Sequence, residues 1–225
     1  MRKQIKIVTY NIQHAMAAGE AKIAAVLRAT GADVAGLQEV DYCNDRSGGR
    51  DQPALLSEMS GMPYYRFTRA VDFRGGGYGT LILSKYPILA YETTPLPSGR
   101  FEPRAAGHAV LDTDGERVDF FNAHLSFENG ALRAEQFAAL AALTKPCRRF
   151  ILTGDFNVDD LGEFAPLGAP LAINRAGRVI GSFVENGAPI DNILFSAGFA
   201  EVAAGRVDET YSDHYAVFAT VTMEP

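Results

Sequence analysis

Between residues 151 and 160 an apolar run, Ile-Leu-Thr, opens through Gly154 into Asp155-Phe-Asn157-Val-Asp159-Asp160. Three carboxylates and an amide this close repel one another unless water or a cation screens them. The same transition recurs along the chain. The run QIKIVTY ends in Asn11, DVAGLQ in Glu39 and RVDFFNA in His124. Asp191 opens NILF, and Asp213-His214 open YAVFATV. If these ends converge, they form an oxygen-rich pocket with two imidazoles. Oxygen donors without thiolates suit a hard cation such as Mg²⁺ or Mn²⁺. Zinc would recruit several His or Cys, whereas His124 and His214 stand 90 residues apart. A hard cation beside an Asp–His pair is equipment for hydrolysing a phosphate ester: the ion neutralises phosphoryl oxygens, a base activates water and an acid releases the leaving oxygen.

Each feature alone has an ordinary explanation. A Glu after a strand faces water, Asn11 caps a turn, and His124 is a satisfied structural imidazole. Asp213 simply starts a strand, and Asp155-Phe-Asn157 is a turn. Recurrence at six strand ends is what carries the chemical reading. Within the opening stretch the acids divide. Asp155 and Asn157 are two apart, so on extended backbone they share a face with Phe156 turned away. Gly154 permits a turn or a close approach. Asp159 and Asp160 lie past the strand end, where they cap residues 161–164 or face water.

The elements that must position these residues are mostly strands. Period-two patterning and Gly/Pro punctuation predict strands at 4–10, 33–38, 79–84, 106–112, 117–123, 149–154, 190–195, 199–204 and 214–222. HYAVFATVT is largely apolar on both faces, so it is expected to be buried on both sides. Helices are expected at 20–29, stopped by Gly31, at 130–143 with Asn129 as cap, and at 53–60 with Pro53 in the first turn. Many strands with three helices imply sheet packed on sheet with helices outside. The segment 42–52, YCNDRSGGRDQ, reads as a long loop, and such loops are often functional.

The bulk composition sets bounds. A chain of 225 residues, 47% hydrophobic, can bury a substantial core. The balance of 21 Lys and Arg against 27 Asp and Glu gives a net charge of −6. A protein that coats nucleic acid is usually basic, so that partner is disfavoured. A divalent cation in a pocket lets an acidic chain handle phosphates all the same. Two cysteines, Cys43 and Cys147, make neither a disulfide framework nor a zinc pattern. The N-terminus has no long apolar run, and no stretch approaches a membrane span, so a reduced cytoplasmic monomer is expected.

These motifs resemble the endonuclease/exonuclease/phosphatase superfamily of metal-dependent phosphoesterases. The matching stretches are Thr-Tyr-Asn-Ile at 9–12, Leu-Gln-Glu-Val at 37–40, Gly-Thr-Leu-Ile-Leu-Ser at 79–84, Asn-Ala-His-Leu at 122–125, Gly-Asp-Phe-Asn at 154–157, Ile-Asp-Asn-Ile-Leu at 190–194 and Ser-Asp-His at 212–214. They follow the family's order across nearly the whole chain, which implies a single domain over 1–225. The resemblance implies an α/β fold of four layers, a sandwich of two mixed β-sheets face to face with helices outside. It implies one or two Mg²⁺ or Mn²⁺ ions. Glu39 is implied as principal metal ligand, with Asn11 and Asp213 close to the ion. Asp155 would orient or deprotonate water, and Asn157 would hold the phosphate. His214, oriented by Asp191, would bind the phosphate or act as base. His124 would stabilise charge or protonate the leaving oxygen.

Three positions depart from the family pattern. Gln13 stands where abasic-site endonucleases carry an Asp near the metal, Asn192 replaces an aromatic or His, and Tyr78 lies near where pancreatic-type enzymes place a Glu that supports the active-site His, a partner His124 is then expected to lack. The expected substrate contacts are Arg46, Arg104, Tyr78 and Asn122, with Arg74 and Arg100 also available. Guanidinium groups suit bidentate phosphate contacts. Glu102 either pairs with an arginine or reaches the site. The acidic, short chain favours a small or lipid-like phosphodiester or phosphomonoester. A DNA or RNA nuclease is the first alternative, and an inactive member serving as a binding module the second.

Overall fold

Residue parity along the strands explains the architecture. In β1 (Gln4–Asn11), Ile5 and Ile7 enter one apolar cluster while Val8 and Tyr10 enter another. A strand buried on both faces needs a layer on each side. The computed structural model describes residues 3–168 and 170–224 and shows those layers. Met1 and Arg2, which open the basic N-terminus, lie outside the described residues.

One sheet runs β11 (Phe199–Arg206), β12 (Val217–Met223), β1, β2 (Val34–Tyr42), β4 (Gly76–Ser84) and β3 (Tyr64–Phe73). The other runs β5 (Ile88–Leu96), β6 (Arg104–Thr113), β7 (Glu116–His124), β8 (Phe150–Asp155), β10 (Asp191–Phe195) and β9 (Leu171–Ala172). Both are mixed: β1–β2 and β7–β8 are parallel pairs among antiparallel ones. Between the sheets, Ile7, Val217 and Val221 of the first share one apolar cluster with Phe120, Ile151 and Phe195 of the second. Helices α1 (Glu20–Thr30) and α2 (Gln52–Ser60) cover the first sheet, and α3 (Gly130–Thr144) covers the second through Phe137 and Leu140. The expected four-layer sandwich is the fold.

Local signals set the helix limits. Gly31 closes α1 in the left-handed region at φ 68°. Asp51 accepts from the Ala54 amide at the start of α2, and Asn129 accepts from that of Leu132 at the start of α3. Three features differ from expectation. β12 begins at Val217, leaving His214 in the preceding loop. β3 and β5 are not among the expected strands, and both are edge strands. The loop 42–52 closes on itself, with Cys43 N–H donating to the Arg50 carbonyl and a single helical turn at Asp45–Ser47.

Toward one end of the sandwich the apolar core gives way to a polar layer. Gln38 Nε2 donates to Asn122 Oδ1 at 2.7 Å and Thr9 Oγ1 at 3.1 Å. Thr153 Oγ1 donates to Asn122 Oδ1 at 3.1 Å, and Asn122 Nδ2 donates to the Leu37 and Leu81 carbonyls. All four side chains are fully buried, and this mutual pairing removes much of the cost of burying them. One further step along each strand, in the same inward phase, come Asn11, His124 and Asp155.

Candidate active site

Strand register builds the floor of the site. His124 of β7 stands opposite Asp155 of β8, and Asp155 stands opposite Asp191 of β10. Neighbouring strands are about 4.8 Å apart, so three ionisable groups form one row. The facing sheet adds Asn11, whose Nδ2 donates to Asp155 Oδ2 at 2.9 Å and Glu39 Oε1 at 3.1 Å. Glu39 reaches this point through a β-bulge: the register with β4 shifts between Leu37 and Val40, and Glu39 adopts φ 56°. A bulge bends a strand and re-aims a side chain.

The loop before β12 delivers the remaining groups. Tyr10 Oη hydrogen-bonds Thr210 Oγ1 at 2.9 Å and accepts from the Tyr211 amide at 3.0 Å. Ser212 Oγ donates to the Asn11 carbonyl at 2.7 Å. These ties bring Asp213 and His214 over the floor. His214 Nδ1 donates to Asp191 Oδ2 at 2.7 Å, leaving Nε2 3.7 Å from Asp155 Oδ2. His124 Nε2 lies 3.6 Å from the same oxygen. Two imidazoles and one carboxamide therefore converge on Asp155 Oδ2.

The protonation states follow from burial and charge. Burial pulls His214 down, but the carboxylates of Asp191, Asp155 and Asp213 outweigh it and raise its pKa to about 10. His214 is an imidazolium. Burial and then the Asp191 charge push Asp155 up to about 7, against His214 and the Asn11 and Asn157 hydrogen bonds. His124 is held well below its ordinary value by burial and by the Arg104 cation. Its Nδ1 receives Arg104 Nη1–H at 3.2 Å, so the neutral ring carries its proton on Nε2. Burial, reinforced by the nearby Asp213 charge, raises Glu39.

Most of the residues expected from sequence meet in one cleft of about 660 Å³, whose lining includes Asn11, Glu39, His124, Asp155, Asn157, Asp213 and His214. Asp191 lies behind His214. Two expectations are corrected. Asn122 does not reach the cleft. It is fully buried one layer deeper, with its amide satisfied between the sheets. Asp155 and Asn157 do not share one extended strand: Asn157 is left-handed at φ 53°, its amide donates to Asp155 Oδ1, and its Nδ2 donates to the Leu125 carbonyl.

The arginines are engaged with acids. Arg46 makes two bonds to Asp41, at 3.0 and 2.6 Å, and stacks over Phe73 and Tyr78. Arg104 pairs with Glu102 at 2.6 Å as well as with His124, so His124 has a basic partner where the family pattern places an acid. Tyr78 joins the lining, whereas Arg74 and Arg100 do not. Gln13 Nε2 donates to Asp213 Oδ2 at 3.0 Å. Asn192 accepts from the Asn174 amide and anchors that loop.

His14 is a site residue that sequence patterning misses. Its Nε2 lies 3.2 Å from Glu39 Oε2, its ring sits 5.5 Å from Tyr78, and burial followed by Arg46 lowers its pKa to about 4. Its only sequence signal is its place three residues after Asn11. Apolar side chains form the walls: Val71, Phe73, Phe183, Ile190 and the exposed Phe127.

The donor set fits a hard divalent cation. Glu39 and Asp213 offer carboxylate oxygens that repel one another, and Asn11 offers a carboxamide. Asp155, Asp191 and His214 also present ligand atoms within 4.8 Å of one another, close enough to bind an ion. In that trio His214 Nδ1 is already committed to Asp191. Glu39, Asp213 and Asn11 are hydrogen-bonded too, Glu39 accepting from Asn11 and Asp213 from Gln13, and Asn11 Oδ1 accepts from the Gln13 amide; all three line the cleft.

Comparison with known proteins gives a consistent picture. Residues 8–214 match the Endonuclease/Exonuclease/phosphatase family. A structure of an endonuclease/exonuclease/phosphatase from Beutenbergia cavernae superposes with a TM-score of 0.85 at 23% identity, covering 99% of this chain and 72% of the other. Danio rerio TDP2, complexed with a single-strand DNA product, gives a TM-score of 0.75 at 17% identity, covering 98% of this chain and 100% of the other. At these identities the likeness establishes the fold. Protein cwh43 from Schizosaccharomyces pombe is 29% identical over 157 residues, which is 69% of this chain. The chain matches only 16% of the length of that relative.

Proposed function

The chain belongs to the endonuclease/exonuclease/phosphatase family; from that premise we propose that it is a metal-dependent phosphoesterase and that it hydrolyses a small or lipid-like phosphodiester or phosphomonoester. One observation carries the substrate reading. The floor of Asn11, Glu39, His124, Asp155, Asp213 and His214 is walled by Val71, Phe73, Phe127, Phe183 and Ile190. An apolar wall suits the carbon skeleton of an ester better than a run of phosphates. Arg46 and Arg104, the arginines that line the site, are paired with Asp41 and Glu102.

Glu39, Asp213 and Asn11 would hold Mg²⁺ or Mn²⁺, which when bound neutralises phosphoryl charge. The chain's own groups do the proton work. Asp155, with its pKa near 7, takes a proton from the attacking water. His214, held as imidazolium by Asp191, binds the phosphoryl oxygens and gives a proton to the leaving oxygen. His124 donates a neutral N–H to developing oxyanion charge. Asn157, fixed by Leu125, keeps its second amide N–H for the phosphate. This assignment gives the acid role to His214 and the charge-stabilising role to His124, whereas the resemblance implied His214 as phosphate binder or base and left His124 either role.

The test is a panel of chromogenic phosphomonoester, chromogenic phosphodiester, lysophospholipid and oligonucleotide, each with Mg²⁺, Mn²⁺ or chelator. Metal-dependent turnover of a non-polynucleotide ester is expected. Turnover confined to the oligonucleotide would establish the nuclease reading instead, one favoured by the fold shared with a DNA-complexed protein. Turnover of none would sink both. The complete set of acids, amides and imidazoles weighs against an inactive binding module.

A further inference from the structure

On the outer face of the second sheet, away from the cleft, His108, Asp119 and Cys147 bring three ligand atoms within 4.8 Å of one another. We propose that these three side chains form a second metal site, selective for a zinc-like divalent cation. Its position follows from the hairpin of β6 and β7. His108 pairs with Phe121, and Asp119, two residues earlier, is the diagonal neighbour on the same face. Cys147 arrives from the turn after α3, where its amide donates to the Thr144 carbonyl. Two neighbouring strands of a hairpin and the turn after α3 thus meet at one point.

The geometry is near that of a tetrahedral site with an open fourth position. Zinc holds His, Asp and Cys donors at about 2.0–2.3 Å, so its ligand atoms sit roughly 3.3–3.8 Å apart. His108 Nε2 and Asp119 Oδ1 are 2.7 Å apart and need to part by less than about 1 Å. The imidazole is already oriented: its ring stacks on Phe121 at 4.2 Å between centroids, with planes 9° apart. That aromatic floor excludes water from one side, as apolar surroundings do at metal centres. All three residues are half-exposed, which leaves an entry path.

The donor chemistry also suits a cation. An imidazole, a carboxylate and a thiol meet at one point. A divalent ion would take the place of the thiol proton, which leaves to solvent, and would relieve the repulsion between thiolate and carboxylate. A thiolate with an imidazole selects zinc over Mg²⁺. The sequence could not disclose this site, because residues 108, 119 and 147 follow no zinc spacing.

The experiment reads the thiol, so metal in the cleft does not interfere. In the Cys43→Ser protein Cys147 is the sole thiol. Equimolar Zn²⁺ is expected to slow its reaction with a disulfide reagent by at least about tenfold, because a metal-bound thiolate is no longer a free nucleophile. Mg²⁺ should leave the rate unchanged. His108→Ala and Asp119→Asn, each checked for native circular dichroism, should abolish most of the protection. Absence of protection by Zn²⁺ overturns the proposal. So does protection that survives intact in both variants, which would mean zinc meets the thiol alone.

Discussion

Asp155 and Asp160 lie in one acidic stretch and do different things. Asp155 is buried beneath Asn11 and two imidazoles. Asp160 is exposed and accepts from the Gly162 amide at 2.8 Å, capping a short 3₁₀ helix. Asp155→Asn should lower kcat by roughly 10²–10⁴-fold with the fold retained, the usual scale for losing a general base. Asp160→Asn should leave kcat unchanged and cost at most about 1 kcal/mol. Steady-state rates and circular dichroism of both variants check the contrast, and near-normal turnover in Asp155→Asn would refute the base assignment.

The same acids make metal-free stability pH-dependent. The folded pKa of His214, about 10, stands above its ordinary value of 6.5. Its contribution is therefore complete below about 6.5 and lost as pH rises through about 10. Asp155 is raised from 3.8 to about 7, so the folded state binds more protons there too, and stability falls between those values. Both slopes have the same sign. With chelator, Tm should fall as pH rises, and Mg²⁺ should flatten the fall by neutralising the carboxylates. Asp191→Asn should remove much of the alkaline part. Parallel Tm curves with and without Mg²⁺ would count against a cation in this cluster.

At this scale the sequence exposed much of the site because polar residues replace apolar ones in phase at strand ends. It carries parity but not depth. Asn122 shares the inward phase of His124 yet sits one layer lower, so it supports the sheets instead of touching substrate. His14 was silent because it lies outside any periodic element, in a left-handed turn at φ 56°.

Among the elements, the strands that sequence patterning missed are edge strands. β3 has mostly exposed and half-exposed residues around buried Thr68 and carries exposed Arg66 and Arg69. β5 contains Pro95 and exposed Leu89. An edge strand has one unpaired side, so polar residues and proline are tolerated there and the apolar signal weakens. The central strands were legible because both faces are buried. Their close approach can be tested at Gly36, where a Cβ would lie 2.1 Å from Thr153 Oγ1 and 2.6 Å from Asn122 Oδ1. Gly36→Ala should therefore cost about 1–3 kcal/mol by overpacking, read as a lowered Tm.

Tyr10 ties the loop bearing Asp213 and His214 to β1 through Thr210 and Tyr211. Tyr10→Phe removes both bonds while keeping the buried ring, and should cost about 1–2 kcal/mol. Because the loop carries Asp213 and His214, the groups proposed to bind metal and phosphate, kcat should fall further than that stability loss alone would produce. An unchanged kcat in a folded Tyr10→Phe protein would show that the remaining Ser212 bond to Asn11 suffices.

The whole molecule carries a net charge of −6, and its cleft spends its arginines on internal acids. Both facts bear on how many phosphates a substrate can engage at once. Binding a polyanion releases condensed counterions, so affinity falls with salt in proportion to the phosphates neutralised. From 50 to 200 mM salt, one single-strand-type contact loses roughly a factor of 3 and three contacts roughly a factor of 20. If the cleft engages a single phosphoryl group, as proposed, kcat/KM for its preferred ester should show the smaller figure. Uncharged competitors bearing the ester's carbon skeleton should inhibit by occupying the wall of Phe73, Phe127 and Phe183, and Phe127→Ala should weaken that inhibition because Phe127 is 66% exposed at the rim. A steep salt dependence with no inhibition by the skeleton alone would instead mean that the cleft grips a polyanion, and the acidic balance would then have misled.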